Sequence, residues 1–279
     1  MTRPMTCATP PAFPATDPMI QRMVTSAVFA GCVAGLFAAL LHFVFVQEYI
    51  LLGERYESGA ITHFSSGSSV EDAVANPPAA GHDQPATSGS LEPVTGIADH
   101  NGGAAHDHSL PPSDLARNGL TVLFTVLIYC SYAMILLAGF GLAEAAGYKV
   151  AAGEGLLWGL AGFAAFQLAP AMGLAPGLPG TIAAELSARQ VWWWGTVAAT
   201  ASALALIGYG RKPWALALAV GLLAAPHVIG APKVDAFYGT APPEVGAMFA
   251  ARVLGVGLVV WACLGWAAGY FWQRSAATV

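Results

Sequence analysis

The chain has 279 residues, of which 56% are hydrophobic and only 10% are Asp, Glu, Lys or Arg, so too little charge is available to clothe a soluble globule of this size. A net charge of −5 and a pI near 5.7 provide no basic face, and no stretch interleaves clustered Lys/Arg with aromatics, which excludes nucleic acid as a partner. The four cysteines, Cys7, Cys32, Cys130 and Cys263, are far apart with no CxxC pair, and read as small apolar residues rather than disulfides or a zinc knuckle.

Residues 1–22 carry five prolines and no apolar period, the pattern of a disordered tail. A bilayer core needs about 20 apolar residues per helix, with about 17 as the lower limit, and six runs approach that length. They extend over 23–46, 119–143, 155–173, 191–208, 214–230 and 247–271, so the expected fold is an all-α membrane bundle of about six transmembrane helices, with helices two to six between 119 and 273. The first run continues fourteen residues beyond Cys32, which suits an anchored helix better than a cleaved leader.

Between the first two helices, residues 47–118 are rich in Gly, Ser, Ala and Pro and cannot bury enough apolar surface to fold alone, so a flexible loop is expected there. A short tail, 274–279, closes the chain. Orientation follows from basic residues at the helix ends. Arg3, Arg22, Lys149, Arg211, Lys212 and Arg274 fall on one side, and Arg55, Arg117, Arg189, Lys233 and Arg252 on the other. Six against five places the termini in the cytoplasm and the long loop in the periplasm.

Five of the seven histidines lie in that loop, several beside acids: His63, His82 with Asp83, Asp99 with His100, and His106-Asp107-His108. Imidazole with carboxylate suits divalent transition metals, because neutral nitrogen supplies affinity while carboxylate offsets charge. A solvated linker with incidental histidines is the plain alternative. Within the apolar runs, polar residues cost free energy and are candidates for function. His42, Gln167 and His227 each lie shortly before the end of an odd-numbered helix, and those helices run in the same direction, so the three groups should share one depth. Pro170 and Pro226 fall in the same layer, and each removes a backbone donor and frees a carbonyl. Interfacial side chains with satisfied hydrogen bonds are the alternative here.

Other features read as architecture. Trp192, Trp193 and Trp194 form an aromatic belt. Gly31 with Gly35, Gly155 with Gly159, and Gly265 with Gly269 make faces for close helix packing. Glu144 and Glu154 flank an inner loop around Lys149 and read as hydrated, and Arg252 pairs with Glu244 or snorkels. No GxxxxGK[ST] loop, HExxH or nucleophile–base grouping is present, so an enzyme is not expected.

Several stretches together resemble the CbtA family of proposed bacterial cobalt transporter subunits. They are His42-Phe43-Val44-Phe45-Val46-Gln47, Leu168-Ala169-Pro170-Ala171-Met172-Gly173-Leu174 with Leu178-Pro179-Gly180, Ala188-Arg189-Gln190-Val191-Trp192-Trp193, and Ala225-Pro226-His227-Val228-Ile229-Gly230-Ala231-Pro232. The resemblance implies a multi-pass protein of the bacterial inner membrane that takes up Co²⁺ for cobalamin synthesis beside a small, single-helix, histidine-bearing CbtB-like partner. It also implies that the metal is cargo, with no permanently bound cofactor. The loop residues would then capture the ion, and His42, Gln47, Gln167, Pro170, Pro226 and His227 would serve its translocation. Two other readings remain from the residues themselves: a haem-b electron carrier with His42 and His227 as axial ligands, and a membrane scaffold that transports nothing.

Overall fold

The computed structural model describes residues 18–62, 114–234 and 239–276. His63, His82, Asp83, Asp99, His100, His106, Asp107 and His108 lie outside the described residues, as do both tails up to residue 17 and from 277. The chain forms α1 (Pro18–Phe45), α2 (Gln47–Glu57), α3 (Asp114–Ala145), a 3₁₀ turn (Ala152–Glu154), α4 (Gly155–Phe163), a π turn (Ala164–Leu168), α5 (Ala169–Ala171), α6 (Leu186–Tyr209), α7 (Pro213–Ile229) and α8 (Pro243–Ala276). No strand is present among the described residues, only a single antiparallel bridge between Thr181 and Gly239.

Four helices, α1, α3, α6 and α8, are long and apolar enough to cross a membrane. The shortest, α6 with 24 residues, extends about 36 Å at 1.5 Å per residue, more than the roughly 30 Å of a hydrocarbon core. The sequence count of six reaches two shorter rods as well. Helix α7 has 17 residues, and α4, the π turn and α5 run on without interruption from 155 to 171. Each is about 25 Å long, at the lower limit for a span.

Two boundaries differ from the expectation. Residues 47–57, read as the start of the flexible loop, form α2, which packs against α1 and α8. Its Tyr49 and Ile50 cover a small core of Val46, Leu178 and Phe249, and this burial outweighs a mean composition too polar to signal a helix. Helix α3 begins at Asp114, ahead of 119, and Arg117 near its start faces Glu54 of α2 at 3.9 Å.

The main core joins α1, α3, the α4 rod and α8. Helices α1 and α8 run antiparallel: Arg22 lies against Trp272, Ser26 hydrogen-bonds Ser275 at 3.1 Å, and Phe29 stacks on Phe271 at 5.5 Å. The paired glycines do what their spacing implies. A Cβ added to Gly159 would stand 2.9 Å from Gly265 Cα, and one added to Gly155 the same distance from Gly269 Cα, so α4 and α8 touch backbone to backbone. Helices α6 and α7 form a hairpin at the edge. Among the described residues α7 contacts only α6, and α3 and α6 do not meet.

Charges gather at the two ends of the bundle. At the end holding the start of α1, the Arg22 guanidinium lies 3.7 Å over the Trp272 ring, donates to the Trp272 carbonyl at 3.0 Å and faces Glu144 at 3.4 Å. The Trp272 indole donates to Glu144 at 2.8 Å, so Glu144 is an anchored acceptor beside the exposed turn around Lys149. Glu154 accepts from the Ala151 amide at 3.0 Å. At the opposite end Arg252 pairs with Glu48 at 3.9 Å, not with Glu244, because α2 folds back over α8.

Candidate functional site

Gln167 lies inside the π turn, and Pro170 explains why the turn is there. Proline has no N–H and its ring crowds the carbonyl four residues back, so the helical ladder cannot continue regularly into it. The chain widens by one residue instead: the Ala169 amide reaches the Ala164 carbonyl, five residues away. The widened turn carries Gln167 toward α8, where its amide occupies the space left by the missing side chain of Gly257, with the amide carbon 3.0 Å from where a Cβ would stand. Gln167 Oε1 is buried and has no hydrogen-bond partner among the described residues. An orphaned acceptor of this kind costs about 1–3 kcal/mol.

The depth of the other candidates follows from helix register. Counting thirteen residues along α1 from Phe29, and thirteen back along α8 from its stacking partner Phe271, pairs His42 with Leu258, next to Gly257. On the other flank Phe166 meets Trp193 at 6.0 Å, and Trp192 lies edge-on to His227 at 6.4 Å. The contacts therefore set His42, Gln167 and His227 at one level along an arc of helices running α1, α8, the α4 rod, α6 and α7.

They do not converge. Half-buried His42 lies edge-on to Phe43 at 5.8 Å, whereas His227 is exposed on the outer hairpin. The path of contacts from α1 to α7 passes through α8, the rod and α6, so a haem iron shared by the two imidazoles is not accommodated. Gln47 is half-buried at the first position of α2, just past the break that ends α1. Pro170 and Pro226 are both buried. The Pro226 carbonyl accepts the Trp192 indole N–H at 3.2 Å and the Gly230 amide at 3.0 Å. Trp192 is thus an internal strut, 9% exposed, and Trp193 packs on Phe166; only Trp194, 59% exposed, fits the expected belt.

A cavity of about 550 Å³ opens between α3, the α4 rod, α6 and α8, and none of the six predicted translocation residues lines it. Tyr148, Lys149 and Glu154 line it at one end, Tyr132, Phe166 and Trp261 at the other. The last three rings pack together, with centroids 4.9 Å apart for Tyr132–Trp261, 5.5 Å for Tyr132–Phe166 and 5.6 Å for Phe166–Trp261. Trp261 Nε1 is another buried polar atom without a partner among the described residues. Phe166 lines the aromatic end of the cavity and Gln167 follows it in the chain, so one π turn carries both a ring of this aromatic lid and the orphaned carbonyl. Sequence reasoning missed the lid because its three rings come from three helices. The π turn was signalled only indirectly, by Pro170.

Several long apolar helices packed into one bundle define a multi-pass helical membrane protein. Residues 20–273 match the family model described as probable cobalt transporter subunit (CbtA), and the chain belongs to that family. No curated protein and no solved structure matches it. The description as a transporter subunit implies membrane-associated partners in a transporter complex.

Proposed function

We propose that the chain conducts a divalent transition metal, Co²⁺ destined for cobalamin synthesis, across the bacterial inner membrane from periplasm to cytoplasm. The reading includes six spans, with the α4 rod and α7 as the two short ones, both termini cytoplasmic and residues 47–118 largely periplasmic. The loop histidines with Asp83, Asp99 and Asp107 raise the local metal concentration. The ion then meets the level of His42, Gln167 and His227 and sheds part of its hydration shell there. It leaves by the cavity that ends at Tyr148, Lys149 and Glu154.

The observation that carries this reading is the Gln167 carbonyl, buried and unpaired beside Gly257. A neutral oxygen can replace a water ligand without the tight hold of a carboxylate or thiolate, which permits release. Because the imidazoles stand apart along the arc, the ion is passed between weak stations and is not caged by all three. Phe166, Tyr132 and Trp261 act as the gate between this level and the cavity. A small CbtB-like subunit is the expected partner.

Uptake of radiolabelled Co²⁺, Ni²⁺ and Zn²⁺ into cells expressing the chain, with and without that partner, tests the proposal. Gln167→Leu keeps the size of the side chain and removes the acceptor; it should abolish Co²⁺ uptake at all metal concentrations while protein level and membrane insertion hold. Full uptake in that variant would refute the role of the carbonyl, and no metal uptake by the parent with its partner would refute transport.

A further inference from the structure

Helices α1 and α3 approach most closely where Gly31 and Gly35 face Cys130 and Val126. A Cβ added at Gly31 would stand 2.7 Å from both the amide nitrogen and the Sγ of Cys130, and one at Gly35 would stand 2.6 Å from Val126 Cα. The Cys130 thiol also points at the Val28 carbonyl, 3.9 Å away. Val28, Gly31 and Gly35 are therefore the face that α1 turns to α3, and Cys32, one turn on from Val28, lies on the same stripe. Cys32 directly follows Gly31, whose missing side chain lies against the Cys130 Sγ, so the two cysteines flank the same close approach of α1 and α3. Both are free and half-buried.

Among the described residues no group of three or more His, Cys, Asp or Glu side chains is placed to hold a metal. The thiol pair thus offers two sulfurs without a nitrogen or carboxylate beside them. Such a donor set suits soft ions that accept two thiolates, and leaves borderline ions short of ligands. Its position reinforces the selection: Cys32 is residue 15 of the 28 in α1, and Cys130 residue 17 of the 32 in α3, so both sit near the midpoint of their helices. Charge is costly at that depth, and an ion that binds there must be neutralised by its own ligands.

We propose that Cys32 and Cys130 form a two-thiolate site for soft, thiophilic ions, Hg²⁺-like cations and trivalent arsenicals, which bridges α1 to α3 at mid-depth. For a divalent soft cation, two metal–sulfur bonds form and two protons leave. For an aryl arsenoxide, two As–S bonds form, the As–O bond breaks, and the oxygen departs as water with both thiol protons. No electron is transferred in either case. The site stands independently of Co²⁺ transport, since it uses none of the histidines and none of the Gln167 level.

The experiment treats the full chain carrying Cys7→Ser, purified in detergent, with phenylarsine oxide and records intact mass. One adduct of the reagent less water is expected, resistant to a monothiol and reversed by a dithiol. It should vanish in Cys32→Ala and in Cys130→Ala alike and persist in Cys263→Ala. In parallel, the same parent is treated with arsenical or Hg²⁺, and free thiols are then alkylated after denaturation. The peptides bearing Cys32 and Cys130 should be protected together, whatever the folding of the variants. An adduct that survives in either single variant, the absence of any adduct on the parent, or protection of one cysteine without the other would overturn the proposal.

Discussion

Replacing Gly265 by Val tests the packing on which the whole site rests. A Cβ at Gly265 would stand 2.6 Å from the Gly159 amide nitrogen and closer still to the Gly155 carbonyl oxygen, while ordinary contact begins at 3.4 Å, so α4 and α8 must part by at least about 0.8 Å. A separation of that size forfeits a quarter to a half of the dispersion attraction along the seam, and overpacking of this kind costs about 1–3 kcal/mol. At about 2–4 °C per kcal/mol for a chain of this size, the expected fall in thermal midpoint is roughly 2–12 °C. The matched control is Gly221→Ala in α7, where nothing lies within 4 Å of an added Cβ. That change removes about 1 kcal/mol of glycine's helix penalty and should leave the midpoint equal or raised. Melting curves of fluorescent-protein fusions in detergent measure both. Because α8 also carries Gly257 and Trp261, Gly265→Val should lower Co²⁺ uptake by more than its loss of folded protein explains. Equal midpoints for the two variants would refute the claim that α4 and α8 meet backbone to backbone.

Other perturbations follow from particular contacts. Glu144→Ala leaves the buried Trp272 N–H without an acceptor, a cost of about 1–3 kcal/mol that should appear as a lower thermal midpoint, whereas Glu144→Gln should recover most of it. His42→Ala and His227→Ala should each abolish metal uptake even at high metal. Full activity in both, with insertion verified, would return these residues to ordinary interfacial roles. Replacing His63, His82, His100, His106 and His108 together by Ala should weaken uptake at scarce metal and be rescued by excess; a loss that no concentration rescues would move the transport site into the loop. Hydrogen bonds from the Ser187 hydroxyl, with those from the Ser187 and Ala188 amides, hold the Glu185 carboxyl below its ordinary range. Its support of the start of α6 is therefore full above the ordinary carboxylate range and lost as pH falls through the lowered value. Glu185→Ala should flatten that acid-side decline in melting temperature, and an unchanged profile would count against the cap.

The sequence revealed those parts of the fold that depend on composition along one helix. Long apolar runs marked α1, α3, α6 and α8, and glycine pairs spaced by four marked the seams, because both signals are local and periodic. Register was legible too, since polar residues at matching distances from helix ends fall at matching depths. Which helices adjoin was not. The Arg22–Glu144–Trp272 anchor, the Tyr132–Phe166–Trp261 lid and the Cys32–Cys130 pair each join residues distant in the chain, and no spacing rule connects them. Helix α2 escaped notice because its stability comes from lying on α8, not from its own residues. The aromatic-belt reading of Trp192 failed for a related reason: position near a helix end resembles an interface until a neighbour, here Pro226, supplies a buried acceptor.

The attachment of the α6–α7 hairpin bears on how the molecule could move. With α7 bound among the described residues only to α6, and α6 separated from α3 by the cavity, the hairpin is held to the rest chiefly along the α4 rod, the π turn and α5. Near the π turn that seam includes the Phe166–Trp193 contact, and Gly173 approaches Trp192 there as well. A swing of the hairpin about this line would change the width of the gap beside α3 and carry His227 with it, while His42 stayed fixed to the α1–α3–α8 body. The same proline-induced turn that carries the buried Gln167 carbonyl toward α8 would then act as the axle between a stationary half and a moving half of the molecule.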